Sequence, residues 1–259
     1  MNPKTKKYLY ISIALFIYLV IISFPTYLFT SDMDVIKGVE LGLRSGYLIF
    51  IVLFSIFTRI AKTYTGKTRF TNLFLLLPLF FIAFINLFYL GVVSDSSTGN
   101  PVQAVFEQDW NNSYDIMKFV TTIVTVAEEE LLFRYIIQRN LTIGHKIFRI
   151  LTTAAIFAIC HFFSMLYNAR GSFAEPLFFL EIFFVFGIGI ILGFLYEYTN
   201  NIFVPIAFNL IYSICNQMFF KVPLDLMATK YYITTAIFAA CGAAYLTIFY
   251  FLMLKKENR

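Results

Sequence analysis

Residues 115–139 read DIMKFVTTIVTVAEEELLFRYIIQR. The block is about as long as an α-helix that crosses a bilayer. It nevertheless carries three consecutive glutamates and an arginine, namely Glu128, Glu129, Glu130 and Arg134. A charge at mid-membrane costs roughly 2.5–3.5 kcal/mol on insertion scales. These four side chains are therefore expected to be paired, to face a cavity or to take part in chemistry.

The rest of the chain has the composition of a membrane protein. Of its 259 residues 59% are hydrophobic, 33 are phenylalanines, and the mean hydropathy is +0.76. Charged residues make up 14% of the chain, whereas a soluble domain carries about 25%. The apolar blocks are continuous rather than alternating, which indicates helices. The sequence predicts an all-α, polytopic protein of the cell membrane.

Eight transmembrane helices are predicted within a single membrane domain, 1–259. The first block is too long for the apolar core of a signal peptide and is kept as a span. No repeat or long linker divides the chain. The predicted spans are 8–30, 45–61, 71–93, 115–139, 147–167, 174–198, 202–220 and 230–254.

The basic residues predict the orientation of these spans. With both termini cytoplasmic, the cytoplasmic segments hold most of the lysines and arginines, as the positive-inside rule requires. The net charge of +5 then reflects topology and contact with the lipid bilayer. Nothing in it indicates a nucleic-acid partner.

Helical spacing explains only part of the acidic cluster. Glu130 and Arg134 are four residues apart, on one helix face and in the favourable order, which predicts an ion pair. Glu129 lies about 100° around the helix, on the face of Phe133, and Glu128 points elsewhere with no evident partner. One acid is thus assigned to pairing and at least one, Glu129, is left as a candidate proton acceptor.

Two later spans carry further polar residues. His161 stands one turn after Phe157 in the fifth span. Such a histidine is more often a packing residue than a ligand, but with the glutamates it predicts a shared interior site. In the seventh span Asn209, Ser213 and Asn216 share one face, and interhelical hydrogen bonding is the simpler explanation for the last two.

Together these residues resemble the CPBP family, the CAAX prenyl protease and bacteriocin-processing membrane proteins. The family's first motif, two glutamates and an arginine four residues after the second, is met by Glu129, Glu130 and Arg134. Its second, a phenylalanine and a histidine four residues later, is met by Phe157 and His161. The resemblance covers residues 115 to about 220.

The resemblance implies an intramembrane endopeptidase that cuts a hydrophobic or lipid-anchored peptide. Glu129 would activate water, and Glu130 and Arg134 would hold Glu129 in place. His161 would bind or polarise the water. The family's third motif is a histidine followed four residues later by an asparagine, but Asn209 and Ser213 stand there instead. Asn209 could donate a hydrogen bond to the developing oxyanion.

The degenerate third motif leaves a second interpretation open. A non-catalytic protein of this fold would bind a peptide or membrane-protein partner, in bacteriocin immunity or as a regulator of a cell-envelope protein. The expected cofactor is none, or a divalent metal such as zinc, with Glu129 and His161 as its ligands if one binds. Zinc sites need at least three protein ligands.

A transporter or channel is the rival from another functional class, because paired acids inside spans also mark proton relays. No inverted repeat is visible, and the Glu/Arg and Phe/His spacings would then be coincidence.

Depth counted at about 1.5 Å per residue places Glu129 about 15 Å, Asn209 about 11 Å and His161 about 21 Å from the cytoplasmic ends of their spans.

Overall fold

The described part of the chain is helical. The computed structural model describes residues 3–23, 33–58, 116–141, 146–168, 176–219, 242, 244–245 and 248. Most of them form six helices: α1 (Pro3–Ile22), α2 (Met33–Thr58), α3 (Ile116–Glu130), α4 (Lys146–Asn168), α5 (Pro176–Thr199) and α6 (Phe203–Phe219). A π-helical segment, Leu131–Gln138, continues α3. No strand occurs among these residues, which confirms the all-α prediction for them.

One of these helices has the clear character of a membrane span. Among the described residues, α2 over Val35–Thr58 is long and apolar enough to cross a bilayer, and the apolar stretches Lys7–Ile22, Val185–Thr199 and Phe203–Ile214 are shorter. The predicted span 71–93 and most of 230–254 lie outside the described residues. The count of eight spans and the orientation of the termini stay predictions.

Helix α2 begins well before the predicted start of the second span. It begins at Met33 rather than at residue 45. The additional turns carry charged side chains, and two of them form an ion pair, with Arg44 Nε 3.7 Å from Glu40 Oε1. A hydropathy pattern excludes such turns from a span, but an i,i+4 pair stabilises them as helix.

Two apolar clusters hold the described helices together. The first joins α1, α2, the π-helical segment and α4, through residues such as Ala14, Tyr47, Phe133 and Phe157. The second joins α5 and α6, where Leu192 and Phe208 are buried. Helix α4 also packs along α5, and α3 packs against both α2 and α6. The acidic residues of α3 therefore lie where several helices meet.

A three-residue turn fixes how α6 follows α5. Asn200 adopts a positive φ of 50°, a left-handed conformation that asparagine tolerates at helix ends. The side chain of Asn201 then caps the next helix, because its Oδ1 accepts a hydrogen bond from the Phe203 backbone N–H at 2.9 Å. This turn directs Asn209 of α6 toward α3.

Glycines of α5 allow α4 and the π-helical segment to approach closely. A Cβ atom on Gly189 would lie 3.1 Å from the Cβ of Ala154, and one on Gly193 would lie 2.9 Å from Ile150 Cγ2. The Gly193 carbonyl also accepts a hydrogen bond from Gln138 Nε2 at 3.0 Å. Gly189 and Gly193 therefore lie at close contacts between helices.

Replacing Gly193 with alanine should destabilise the protein by about 1–3 kcal/mol, since the added methyl group overpacks the contact with Ile150 and Gln138. The measurement is thermal unfolding in detergent. Gly187→Ala in the same helix is the matched control, because a Cβ there meets no described atom within 4 Å. Equal melting temperatures for the two variants would contradict the close approach.

Candidate functional site

The three consecutive glutamates contact three different sets of helices. Successive helical residues point about 100° apart, so their side chains diverge. Glu128 turns toward α2, Glu129 toward α1 and α4, and Glu130 toward Arg134 and α6. All three side chains are buried.

Glu130 is the carboxylate held by a cation. Its Oε2 lies 3.3 Å from Arg134 Nε, and both side chains are fully buried. This confirms the predicted ion pair. Its Oε1 accepts a hydrogen bond from Asn209 Nδ2 at 2.9 Å, and Ser213 Oγ lies 3.5 Å from Asn209 Oδ1. The seventh predicted span is therefore tied to the acidic cluster.

Glu129 faces the histidine of the fifth predicted span. Its Oε1 lies 3.7 Å from His161 Nε2 and accepts a hydrogen bond from the Tyr18 hydroxyl at 3.1 Å. No described cation pairs with Glu129 as Arg134 pairs with Glu130. The structure thus brings Glu129 and His161 to one place, beside the Glu130–Asn209 hydrogen bond.

The histidine ring is oriented by its own helix. Nδ1 of His161 lies 3.1 Å from the backbone carbonyl oxygen of Phe157. A carbonyl only accepts, so Nδ1 must carry the proton in this contact, and in a neutral ring Nε2 is an acceptor. The gap of 3.7 Å to Glu129 exceeds a direct hydrogen bond. It suits one water molecule within reach of both groups.

Phe157 supports both halves of the site. Its ring centroid lies 4.3 Å from that of His161 and 5.0 Å from that of Phe133. The guanidinium of Arg134 lies 4.9 Å from the same ring centroid, a favourable cation–π distance. Arg134 Nη2 also donates to the Gly189 carbonyl at 3.4 Å. Phe157 therefore sets the position of His161 relative to Arg134.

Glu128 has a partner that the sequence interpretation missed. Arg44 of α2 donates from Nη1 to its Oε1, so the prediction that Glu128 lacks an evident partner is wrong. The reason is the early start of α2, which places Arg44 inside a helix beside α3 rather than in a loop. The signal was an arginine four residues after Glu40, at the border of an apolar block.

Tyr18 of α1 is the second residue that sequence reasoning missed. It is 1% exposed, and it is one of 17 tyrosines in the chain. Nothing in its local sequence distinguishes it from the others. The side chain of Asn216 lies outside the described residues. The predicted site residues are all described, namely Glu129, Glu130, Arg134, Phe157, His161, Asn209 and Ser213.

The donor set does not fit a zinc site. Glu130 is occupied by Arg134 and Asn209, which leaves Glu129 and His161 as the available donors among the predicted site residues. A zinc site takes at least three protein ligands. The described residues contain no group of three histidine, cysteine, aspartate or glutamate side chains arranged to hold a metal ion.

Comparison with known proteins identifies the same region. Residues 112–215 match the sequence model of the Rce1-like type II CAAX prenyl endopeptidases. This confirms the resemblance to the CPBP family over that segment. At the level of the family, the match implies a membrane-embedded, CAAX-protease-type intramembrane peptidase. No curated protein and no solved structure matches the chain.

Proposed function

We propose that the protein is an intramembrane endopeptidase that hydrolyses a peptide bond in a hydrophobic or lipid-anchored peptide. The match of residues 112–215 to prenyl endopeptidases supports this substrate class. The observation that carries the chemistry is the placement of Glu129 Oε1, which pairs with no described lysine or arginine, 3.7 Å from His161 Nε2. A base and a water-binding group are thereby adjacent in a buried site.

In the proposed reaction Glu129 is the general base. A water molecule between Glu129 and His161 gives one proton to the carboxylate as its oxygen bonds to the peptide carbonyl carbon. The carbonyl electron pair moves onto oxygen and forms the oxyanion of a tetrahedral intermediate. When the C–N bond breaks, the proton on Glu129 passes to the leaving nitrogen. The products are a carboxylic acid and an amine, so atoms and charge balance.

Asn209 has two tasks in this proposal. One of its side-chain N–H groups donates to Glu130. An asparagine carries a second N–H, which is available for the oxyanion. Removing an oxyanion donor costs about 3–4 kcal/mol in a soluble protease. Asparagine cannot act as a base, which leaves Glu129 as the proton acceptor.

The proposed setting is a multi-pass protein of the cell membrane. Eight spans with both termini cytoplasmic remain our proposal, supported by the distribution of lysine and arginine. The described helices expose apolar side chains such as Phe16, Ile49, Phe57 and Ile123. Such surfaces suit contact with lipid.

The direct test is peptide cleavage by purified protein in lipid vesicles. We expect hydrolysis of a fluorescence-quenched prenylated peptide with a CAAX terminus, with mass spectrometry identifying the bond cut. We also expect activity to survive treatment with a zinc chelator, since a zinc site needs at least three protein ligands and the part of the chain that the structure describes holds no such group. Loss of activity on chelation with recovery on zinc addition would contradict the metal-free mechanism.

One observation favours a second candidate function, a non-catalytic member of the same fold. Asn209 and Ser213 replace the histidine and asparagine of the family's third motif, and Asn209 is engaged with Glu130. Such a protein would bind a peptide or membrane partner, in bacteriocin immunity or in regulating a cell-envelope protein. It would show no cleavage, and a deletion phenotype would be complemented by both Glu129→Gln and His161→Ala.

A further inference from the structure

The segment that matches the family does not contain every residue that touches Glu129. The match covers residues 112–215, whereas the hydroxyl donated to Glu129 Oε1, at 3.1 Å, belongs to Tyr18 of α1. A phenol donates and a carboxylate accepts, so the polarity of this contact is fixed. The same oxygen faces His161 Nε2. Tyr18 and His161 therefore approach Glu129 at a single atom.

The position of the Tyr18 ring is set by its neighbours. The ring packs edge-on against Phe133, with centroids 5.5 Å apart and planes at 87°. On another side it lies 5.6 Å from the ring of Tyr47. Tyr47 contributes to this packing through its ring, whereas its hydroxyl donates to the backbone carbonyl of Ala14 at 2.8 Å. Packing thus places the Tyr18 hydroxyl at Glu129 before any substrate binds.

The orientation of the Glu129 carboxylate depends on the Tyr18 hydrogen bond, because its other described contacts do not hold the carboxylate in place. His161 Nε2, at 3.7 Å, is beyond direct hydrogen-bond distance. Among the described residues, no group donates a hydrogen bond to the second oxygen, Oε2. With Oε1 held by Tyr18, the orientation of the carboxylate toward His161 is fixed while it receives a proton from the water. The hydroxyl also compensates in part for burying a negative charge.

We propose that Tyr18 is a positioning residue of the hydrolytic site, and that α1 therefore contributes a residue to this site. This inference rests on the proposed endopeptidase function. Tyr18 acts through Glu129 and does not contact the peptide bond. Its loss should slow the chemical step while leaving substrate binding largely unchanged.

The test uses the full chain and the prenylated-peptide assay described above. Tyr18→Phe removes only the hydroxyl, and we expect kcat to fall about 10-fold or more with KM within about twofold. Tyr47→Phe is the matched control, because it removes a buried hydroxyl from the neighbouring ring that bonds to backbone rather than to Glu129. Its kcat is expected to stay within about twofold of wild type.

A double variant separates positioning from packing. If Tyr18 works through Glu129, Tyr18→Phe/Glu129→Gln should be no slower than Glu129→Gln alone. Equal kcat values for Tyr18→Phe and Tyr47→Phe, whether reduced or not, would overturn the inference while leaving the endopeptidase proposal intact. Absence of cleavage by wild type, or full activity of Glu129→Gln, would instead overturn the proposed function itself.

Discussion

Glu129→Gln is expected to lower kcat for peptide hydrolysis by about 10²–10⁴-fold, the range that a general base contributes. The amide has nearly the shape of the carboxylate and can still accept the Tyr18 hydrogen bond. It cannot take a proton from water. Because substrate binding does not require the charge, KM should change little, and the loss should appear in kcat.

The matched control for this variant is Glu197→Gln. Glu197 also sits in a polar cluster, where its Oε2 accepts from Arg149 at 3.1 Å and its Oε1 from Gln138 at 3.3 Å. It does not contact Glu129 or His161. Glu197→Gln should keep wild-type kcat, whereas His161→Ala should lose activity as Glu129→Gln does. Cleavage by Glu129→Gln at the wild-type rate would exclude the general-base role.

The part of the site that was predictable from sequence is the part within one helix. Glu130 and Arg134 are four residues apart, and the spacing alone places them on one face. Their 3.3 Å contact persists although the helix widens at Leu131. The Nδ1 contact of His161 with the Phe157 carbonyl has the same local origin. Such contacts require no knowledge of how the helices pack.

Counting residues along each predicted span could not predict which side chains of different helices meet. Depth along separate spans placed His161 roughly 6 Å deeper than Glu129 at about 1.5 Å per residue, yet the two side chains lie 3.7 Å apart. Helix α4 begins at Lys146, one residue from the predicted start. The start of the span therefore does not account for the difference. A hydropathy profile carries no information on how α4 is inclined or shifted along its axis against α3.

Residues outside the predicted motifs were missed for a related reason. Tyr18 and Arg44 reach the acidic cluster from α1 and α2, more than 80 positions earlier in the chain. A hydropathy profile treats a tyrosine in an apolar block as packing, and an arginine at the border of a block as loop. Only the packing of α1 and α2 against α3 and the π-helical segment shows them to be partners of Glu129 and Glu128.

Arg134→Met is expected to cause the largest loss of stability among single substitutions at this site. Arg134 is fully buried and lies 3.3 Å from an equally buried Glu130. Its removal leaves Glu130 with Asn209 as its remaining described partner. An uncompensated buried carboxylate costs about 3–5 kcal/mol in proteins where one partner of a buried pair has been removed. Thermal unfolding in detergent and the amount of protein in the membrane would both fall.

The comparison that separates charge from packing is the double variant Arg134→Met/Glu130→Gln. The glutamine is neutral and can still accept from Asn209, so part of the lost stability should return even though the arginine remains absent. Arg149→Met provides the reference for an ordinary ion pair, since the side chain of Arg149 is 26% exposed opposite Glu197. More accessible pairs contribute about 0–1 kcal/mol. A melting temperature for Arg134→Met equal to that of Arg149→Met, or no recovery in the double variant, would mean that the Glu130–Arg134 pair does not hold the acidic cluster together.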